Sequence, residues 1–277
     1  MKELLCFLLV VFANSAFGPN LLAQADGLPN RAADDTGSHM KMDPSYPEQW
    51  GNYPQTSTSA GGFRREKRVI TKGPLAPSVQ DRAIYTGFLT QPQTGLIRLL
   101  PRHIPQSKNA DGAVKINGGG AYYSFAFLTH EYGFGSDLEL SATVRFLNRS
   151  RLPAWYELAV GFAGADYGMM TRVDDVALED ITTADPRVRF MLGYQPPRAE
   201  AMARREASAF REGRLVDLQL YRSRQPIQTN TTYLLRSISY GRSDVVVAFR
   251  VVRQDTDASV TIVWKLLKKF DPVNLKK

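Results

Sequence analysis

His130 and Glu131 are adjacent, and Asp137 and Glu139 follow in the stretch Thr129-His130-Glu131-Tyr132-Gly133-Phe134-Gly135-Ser136-Asp137. An imidazole beside carboxylates is the pairing used for general acid–base catalysis or for holding a metal. On a strand, neighbours i and i+1 point to opposite faces, so His130 and Glu131 converge only if the segment is a loop, which Gly133 and Gly135 permit. The other two histidines, His39 and His103, have no ligand spacing to this segment. No metal or cofactor is therefore expected, and a hydrogen-bonded structural loop is the default reading. The chemical alternative is a secreted hydrolase using His130 with Glu131 or Asp137. Its substrate would be a glycan, stacked on Tyr122, Tyr123, Tyr132 and Phe134.

A second constellation is cationic. Between Arg187 and Arg224 nine arginines face only four acids, Glu200, Glu206, Glu212 and Asp217. Guanidinium forks recognise phosphate, sulfate and carboxylate, which makes Arg198, Arg204, Arg205 and Arg211 candidate anion-binding residues. The segment before it is acidic: Asp166, Asp174, Asp175, Glu179, Asp180 and Asp185 accompany a single base, Arg172. Clustered oxygens suit calcium, but the Asp-x-Asp-x-Asp-Gly loop is absent, and solvated connections fit better. Gly118-Gly119-Gly120 precedes an aromatic run instead of a helix, so it reads as a hairpin or bulge and not as a phosphate cradle. No Gly-x-Ser-x-Gly elbow, His-Glu-x-x-His pair or dinucleotide fingerprint occurs.

The elements that must position these groups are mostly strands. From about Arg82, short runs of Val, Ile, Tyr, Phe and Leu alternate with Gly, Pro, Asn and Asp. This predicts strands near 84–89, 96–100, 113–117, 121–128, 137–147, 157–163, 188–194, 215–221, 232–240, 244–253 and 259–268. The last three form a meander, with Val260, Ile262, Trp264 and Leu266 on one face and Lys265 on the other. Segment 244–253 is apolar on both faces and is expected at the centre of a sheet. One segment has helical spacing instead: Ala199, Met202, Ala203, Ala207 and Phe210 recur at three and four, and Gly213 stands where a helix would end. The expected fold is mainly β, an antiparallel sandwich or open barrel over 82–277, with one inserted amphipathic helix at about 198–211.

The chain has 277 residues and a formal charge of +8, all of it on 82–277, since positive and negative residues balance before that point. Residues 26–81 are rich in Pro, Ser and Gly and lack apolar periodicity, which predicts a flexible tether. Residues 1–25 carry Lys2, the apolar run Leu4 to Ala13 and the small-residue end Ala23-Gln24-Ala25, the pattern of a secretory signal peptide. No run reaches the roughly 20 apolar residues of a membrane-spanning helix. The sole cysteine, Cys6, lies in that signal, and an exported chain without disulfide staples suggests a bacterial envelope, periplasmic or extracellular setting. Export and the lack of a recognition module argue against nucleic acid. The expected function is that of an exported, non-enzymatic domain binding an envelope protein or an anionic polymer. Cleavage after Ala25 is predicted: N-terminal sequencing of the exported protein should begin at Asp26, and a start at Met1 would remove the argument for export.

Overall fold

The computed structural model describes residues 68–101, 119–130, 136–143, 146–147, 150–151, 155–161 and 164–276, all within one compact unit, Gly62–Lys277. The signal, residues 26–67 of the expected tether, the expected strand at 113–117 and Glu131 lie outside the described residues.

Alternation of apolar residues on both faces produces the central sheet. Strands β1 (Thr94–Leu99), β7 (Tyr167–Arg172), β11 (Thr231–Ser239), β12 (Ser243–Gln254) and β13 (Val260–Phe270) pair antiparallel in the order β1-β13-β12-β11-β7. One face carries Tyr233, Leu235, Val247, Phe249, Val251, Ile262 and Trp264, which meet Leu138, Leu140, Leu158 and Val160 of a second antiparallel sheet. That sheet is built from β2 (Tyr122–Tyr123), β3 (Leu138–Thr143), β6 (Trp155–Ala159) and β10 (Arg224–Pro226), in the order β10-β6-β3-β2. Two short hairpins, β4–β5 (Phe146–Leu147, Ser150–Arg151) and β8–β9 (Arg214–Val216, Gln219–Tyr221), lie outside the sheets. The expected mainly β fold is thus two packed antiparallel sheets. They are joined at one corner, where Arg222 bridges Met170 of β7 just before β10 pairs with β6.

The opposite face of the five-stranded sheet carries Leu96, Met169, Leu234, Ile238, Val246, Ala248 and Val263, covered by short helices and turns. These are α2 (Thr86–Leu89), α3 (Arg189–Gly193) and α4 (Glu200–Glu212), with α1 (Val79–Ile84) leading into α2. Helix α4 is the amphipathic element expected from the sequence. Ala203 and Phe210 are buried, and Gly213 ends the helix at φ +110°, a conformation that favours glycine. Strand β12 lies inside the sheet with Val245, Val247, Phe249 and Val251 on one face and Val246 and Ala248 on the other, as its two-faced apolar pattern implies.

Three expectations are corrected. Residues 84–89 form the end of α1 and α2 and not a strand, because the Ser78 side chain caps α1 by accepting from Asp81 N at 2.9 Å. Residues 188–194 hold α3, which buries Val188 and Met191, three residues apart, on one face. The ordered domain also starts before Arg82. Leu75 is fully buried against Leu100, Arg68 O accepts from Leu96 N, and Asp81 pairs with Arg253 at 2.8 Å. Residues 68–81 are therefore packed on the domain and are not tether.

Beneath the helical layer lies an ion pair. Arg236 of β11 donates from Nε and Nη2 to the two carboxylate oxygens of Asp244 on β12, at 2.9 and 2.7 Å, and neither side chain is more than 2% exposed. Nη1 donates to the carbonyls of Met191 and Tyr194, and the Phe270 ring lies 4.4 Å from the guanidinium carbon.

Trp264 is 1% exposed and packs edge-on to Phe125 with ring centroids 5.3 Å apart. Its partner on β1 is Gly95, where a Cβ would lie 2.5 Å from the indole Cζ2, so only glycine admits the ring. Lys265 faces the other way and is half-buried, its Nζ donating to Glu179 O at 3.0 Å. Trp264→Ala is expected to cost about 3–5 kcal/mol through the void it leaves, and Lys265→Ala about 1 kcal/mol or less. Urea unfolding midpoints of the two variants test the register, because a one-residue slip would exchange their ranking.

Candidate functional site

The chain around His130 is a tight loop closed by a bridge between Ser124 and Thr129. Asp137, fully buried at the start of β3, organises it: its Oδ2 accepts from Phe125 N at 2.7 Å, Ala126 N at 3.0 Å and Ser124 Oγ at 3.1 Å. Among the described residues its Oδ1 forms no full hydrogen bond, although the Ser237 hydroxyl stands near enough to favour the charge. Burial nonetheless pushes the Asp137 carboxyl up to about 6.

His130 is engaged elsewhere. Its Nε2 lies 3.0 Å from Arg98 O, and because a carbonyl only accepts, Nε2 carries the proton and Nδ1 is the bare nitrogen. Nδ1 is buried without a partner among the described residues, and the ring stands edge-on to Tyr123 at 5.1 Å. Burial lowers the His130 pKa to about 4, against the opposing pull of the Arg98 carbonyl. Among the described residues His130 and Asp137 share no hydrogen bond, and the imidazole nitrogen that would act as a base is enclosed. The two candidates are brought into one region but not into an acid–base pair. Among the described residues no three His, Cys, Asp or Glu side chains converge as a metal site would require.

The candidate arginines are presented differently. Arg198, Arg204, Arg205 and Arg211 are all exposed on or just before α4. Arg204 and Arg211, seven residues apart, share one line along the helix, about 10 Å between them, Arg205 lies beside Arg204, and Arg198 stands on the extended segment just before the helix. Arg204 pairs with Glu200 at 2.6 Å with both side chains more than half exposed, a contact of little energetic weight. Arg198, Arg205 and Arg211 make no ion pair among the described residues. The helix beneath them is held firmly. Glu206 Oε2 accepts from Tyr194 Oη at 2.7 Å and from Arg214 Nη1 at 3.0 Å. Tyr194, having given its proton to Glu206, receives one from Tyr167 Oη at 2.7 Å.

The acids of 166–185 are dispersed, and four of them have partners of their own. Asp166 accepts from Tyr240 N and Ser239 Oγ, Asp174 pairs with Arg172, Asp175 with Arg250 and Asp185 with Arg187. Sequence reasoning missed the Tyr167–Tyr194–Glu206 chain and the Arg236–Asp244 pair. Their members lie far apart along the chain or sit within strands, and no spacing rule links them. Compared with family models, curated proteins and solved structures, the chain matches none.

The two buried groups titrate in opposition. The unfolded His130 side chain takes a proton below 6.5 that the folded ring refuses until about 4, so its contribution makes stability rise with pH across that window. Folded Asp137 keeps, up to about 6, a proton that the free carboxyl gives up near 3.8, so its contribution is full below that value and falls as pH rises through about 6. Each slope is at most about 1.4 kcal/mol per pH unit, and the two largely cancel. Asp137→Asn should therefore uncover a stability that climbs from pH 4 to 6.5, and His130→Asn one that declines. Unfolding midpoints measured across that range check this, and parallel profiles for the two variants would contradict it.

Proposed function

We propose that the protein is an exported, non-enzymatic binding domain that holds an anionic polymer of the cell envelope on the arginine face of α4. The observation that carries this reading is the exposure of Arg205 and Arg211 on α4, and of Arg198 just before it, without ion pairs among the described residues; the helix is tied to the sheet through Phe210, Ala203 and the Tyr194–Glu206 bond. Fixed guanidinium groups lose less freedom on binding than charges on a mobile segment, and repeated charge along an axis suits a repeating anion. Export is supported by the signal-like pattern of residues 1–25. The closed environment of His130 Nδ1 and the separate engagements of Asp137 favour a binding domain over hydrolysis.

Salt elution from a heparin or polyphosphate column tests it. A variant with Arg198, Arg204, Arg205 and Arg211→Ser should elute at markedly lower salt with an unchanged circular dichroism spectrum. A control variant removes four exposed cations elsewhere, Lys72, Arg189, Lys268 and Lys269→Ser. It should elute near the parent, and an equal shift in both variants would attribute retention to net charge and defeat the proposal.

A further inference from the structure

A cavity of about 220 Å³ opens on the helical side of the five-stranded sheet, lined by Tyr85, Phe88, Ala177, Leu178, Val263, Asp175, Glu179 and Arg250. It shares no residue with the arginine face of α4. The strand register builds its floor. Thr232, Arg250, Val263 and Leu96 stand in one row across β11, β12, β13 and β1, so a single cation is set among apolar and hydroxyl neighbours. Phe88 and Leu178 are buried core residues that turn one side to the cavity.

Arg250 is anchored from one side and loosely held on the other. Its Nη1 donates to Val176 O at 3.1 Å and to Thr232 Oγ1 at 3.3 Å, and these partners fix the plane of the guanidinium. Its Nη2 donates to the carboxylate of Asp175. The arginine side chain is only 18% exposed, whereas that of Asp175 is 85% exposed. A carboxylate so solvated gains little from its partner, and another carboxylate can take its place cheaply. Tyr85 also lines the cavity, and burial raises its pKa, so its hydroxyl stays protonated. The remaining charges stand at the rim: Glu179 is exposed, and Lys265 Nζ lies on its backbone oxygen.

We infer that this cavity binds a small monocarboxylic acid with a single ring or a short branched chain, its carboxylate replacing that of Asp175 on Arg250 and its apolar part lying against Phe88, Leu178 and Val263. The volume sets the class. An apolar cavity of about 150 Å³ accepts benzene, so the space here admits a ring with its carboxylate. It lies below the roughly 300 Å³ at which drug-sized ligands begin, which favours a small acid over nucleotides and disaccharides. An occupant of charge −1 leaves the floor cation neutralised as Asp175 does now, whereas an amine would bring a second cation to it.

Benzoate is the probe, titrated into the full chain by calorimetry with benzylamine and benzyl alcohol as controls. Benzoate should bind with a Kd of about 1 mM, as expected for so few atoms, and the controls at least about tenfold more weakly. Asp175→Asn removes the internal competitor and should tighten benzoate binding about three- to fivefold. Arg250→Gln should weaken it about tenfold or more. Ala177→Trp, at an exposed position on the lining, should block the cavity without burdening the core. Absence of saturable benzoate binding, tighter binding of benzylamine, or a benzoate affinity unmoved by both Asp175→Asn and Ala177→Trp would each overturn the inference, even if Arg250→Gln failed to fold.

Discussion

The Arg236–Asp244 pair is the contact on which the helical layer depends. A guanidinium and a carboxylate sealed from water are costly to bury, and such a pair is weak evidence for stability relative to a well-packed apolar one. Their effect is geometric. Both sit on the β11–β12 hairpin, and the arginine's remaining donors hold the carbonyls of Met191 and Tyr194, so the end of α3 occupies one place above the sheet. Tyr194, placed in this way, receives Tyr167 and gives to Glu206 of α4. A line of directional bonds thus runs from the sheet through α3 to the helix that displays the arginines.

Arginine works in two environments in this molecule. Arg98, Arg236, Arg250 and Arg253 lie on strands and find carboxylates or carbonyls that restrain each fork. Those of α4 lie on a helix whose buried side is already filled by Ala203 and Phe210, and they extend into solvent. The same residue type therefore serves as an internal fastener and as an external charge, and what its side of the backbone faces decides which. Arg250 stands between the two, fixed on one side and exchangeable on the other.

The legible parts of the fold were those where one rule governed. The β11–β13 meander is long, rich in β-branched and aromatic residues and bounded by turn residues at 241–243 and 254–257, and α4 has period three to four because one side packs. Strand β7 escaped notice because Tyr167-Gly168-Met169-Met170 does not alternate: both faces are covered, and Gly168 sits where a Cβ would meet Val160 Cγ2 at 2.3 Å. Residues 84–89 and 188–194 misled because short apolar runs read equally as strand or helix, and packing decided between them. The stretch around His130 was legible as a concentration of polar groups near aromatics, but not the role of each group. That role depends on Arg98 O and on the loop amides of Phe125 and Ala126, and a sequence displays no backbone partner. Arg236 was passed over because an arginine in a strand ordinarily reads as solvent-facing.

The pairing of β1 with β13 has a consequence for how the chain assembles. Among the described strands, Thr94–Leu99 finds its neighbour only at Val260–Lys265, near the far end of the chain, whereas β11, β12 and β13 are joined by short turns. Loop-closure entropy delays contacts of such separation, so the local meander is the natural nucleus and β1 the late arrival. Until it docks, β13 presents an open edge flanked by apolar residues, and the slot that Gly95 leaves for Trp264 stays unsealed. The molecule's most vulnerable moment therefore falls during synthesis and folding, before its first strand has met its last.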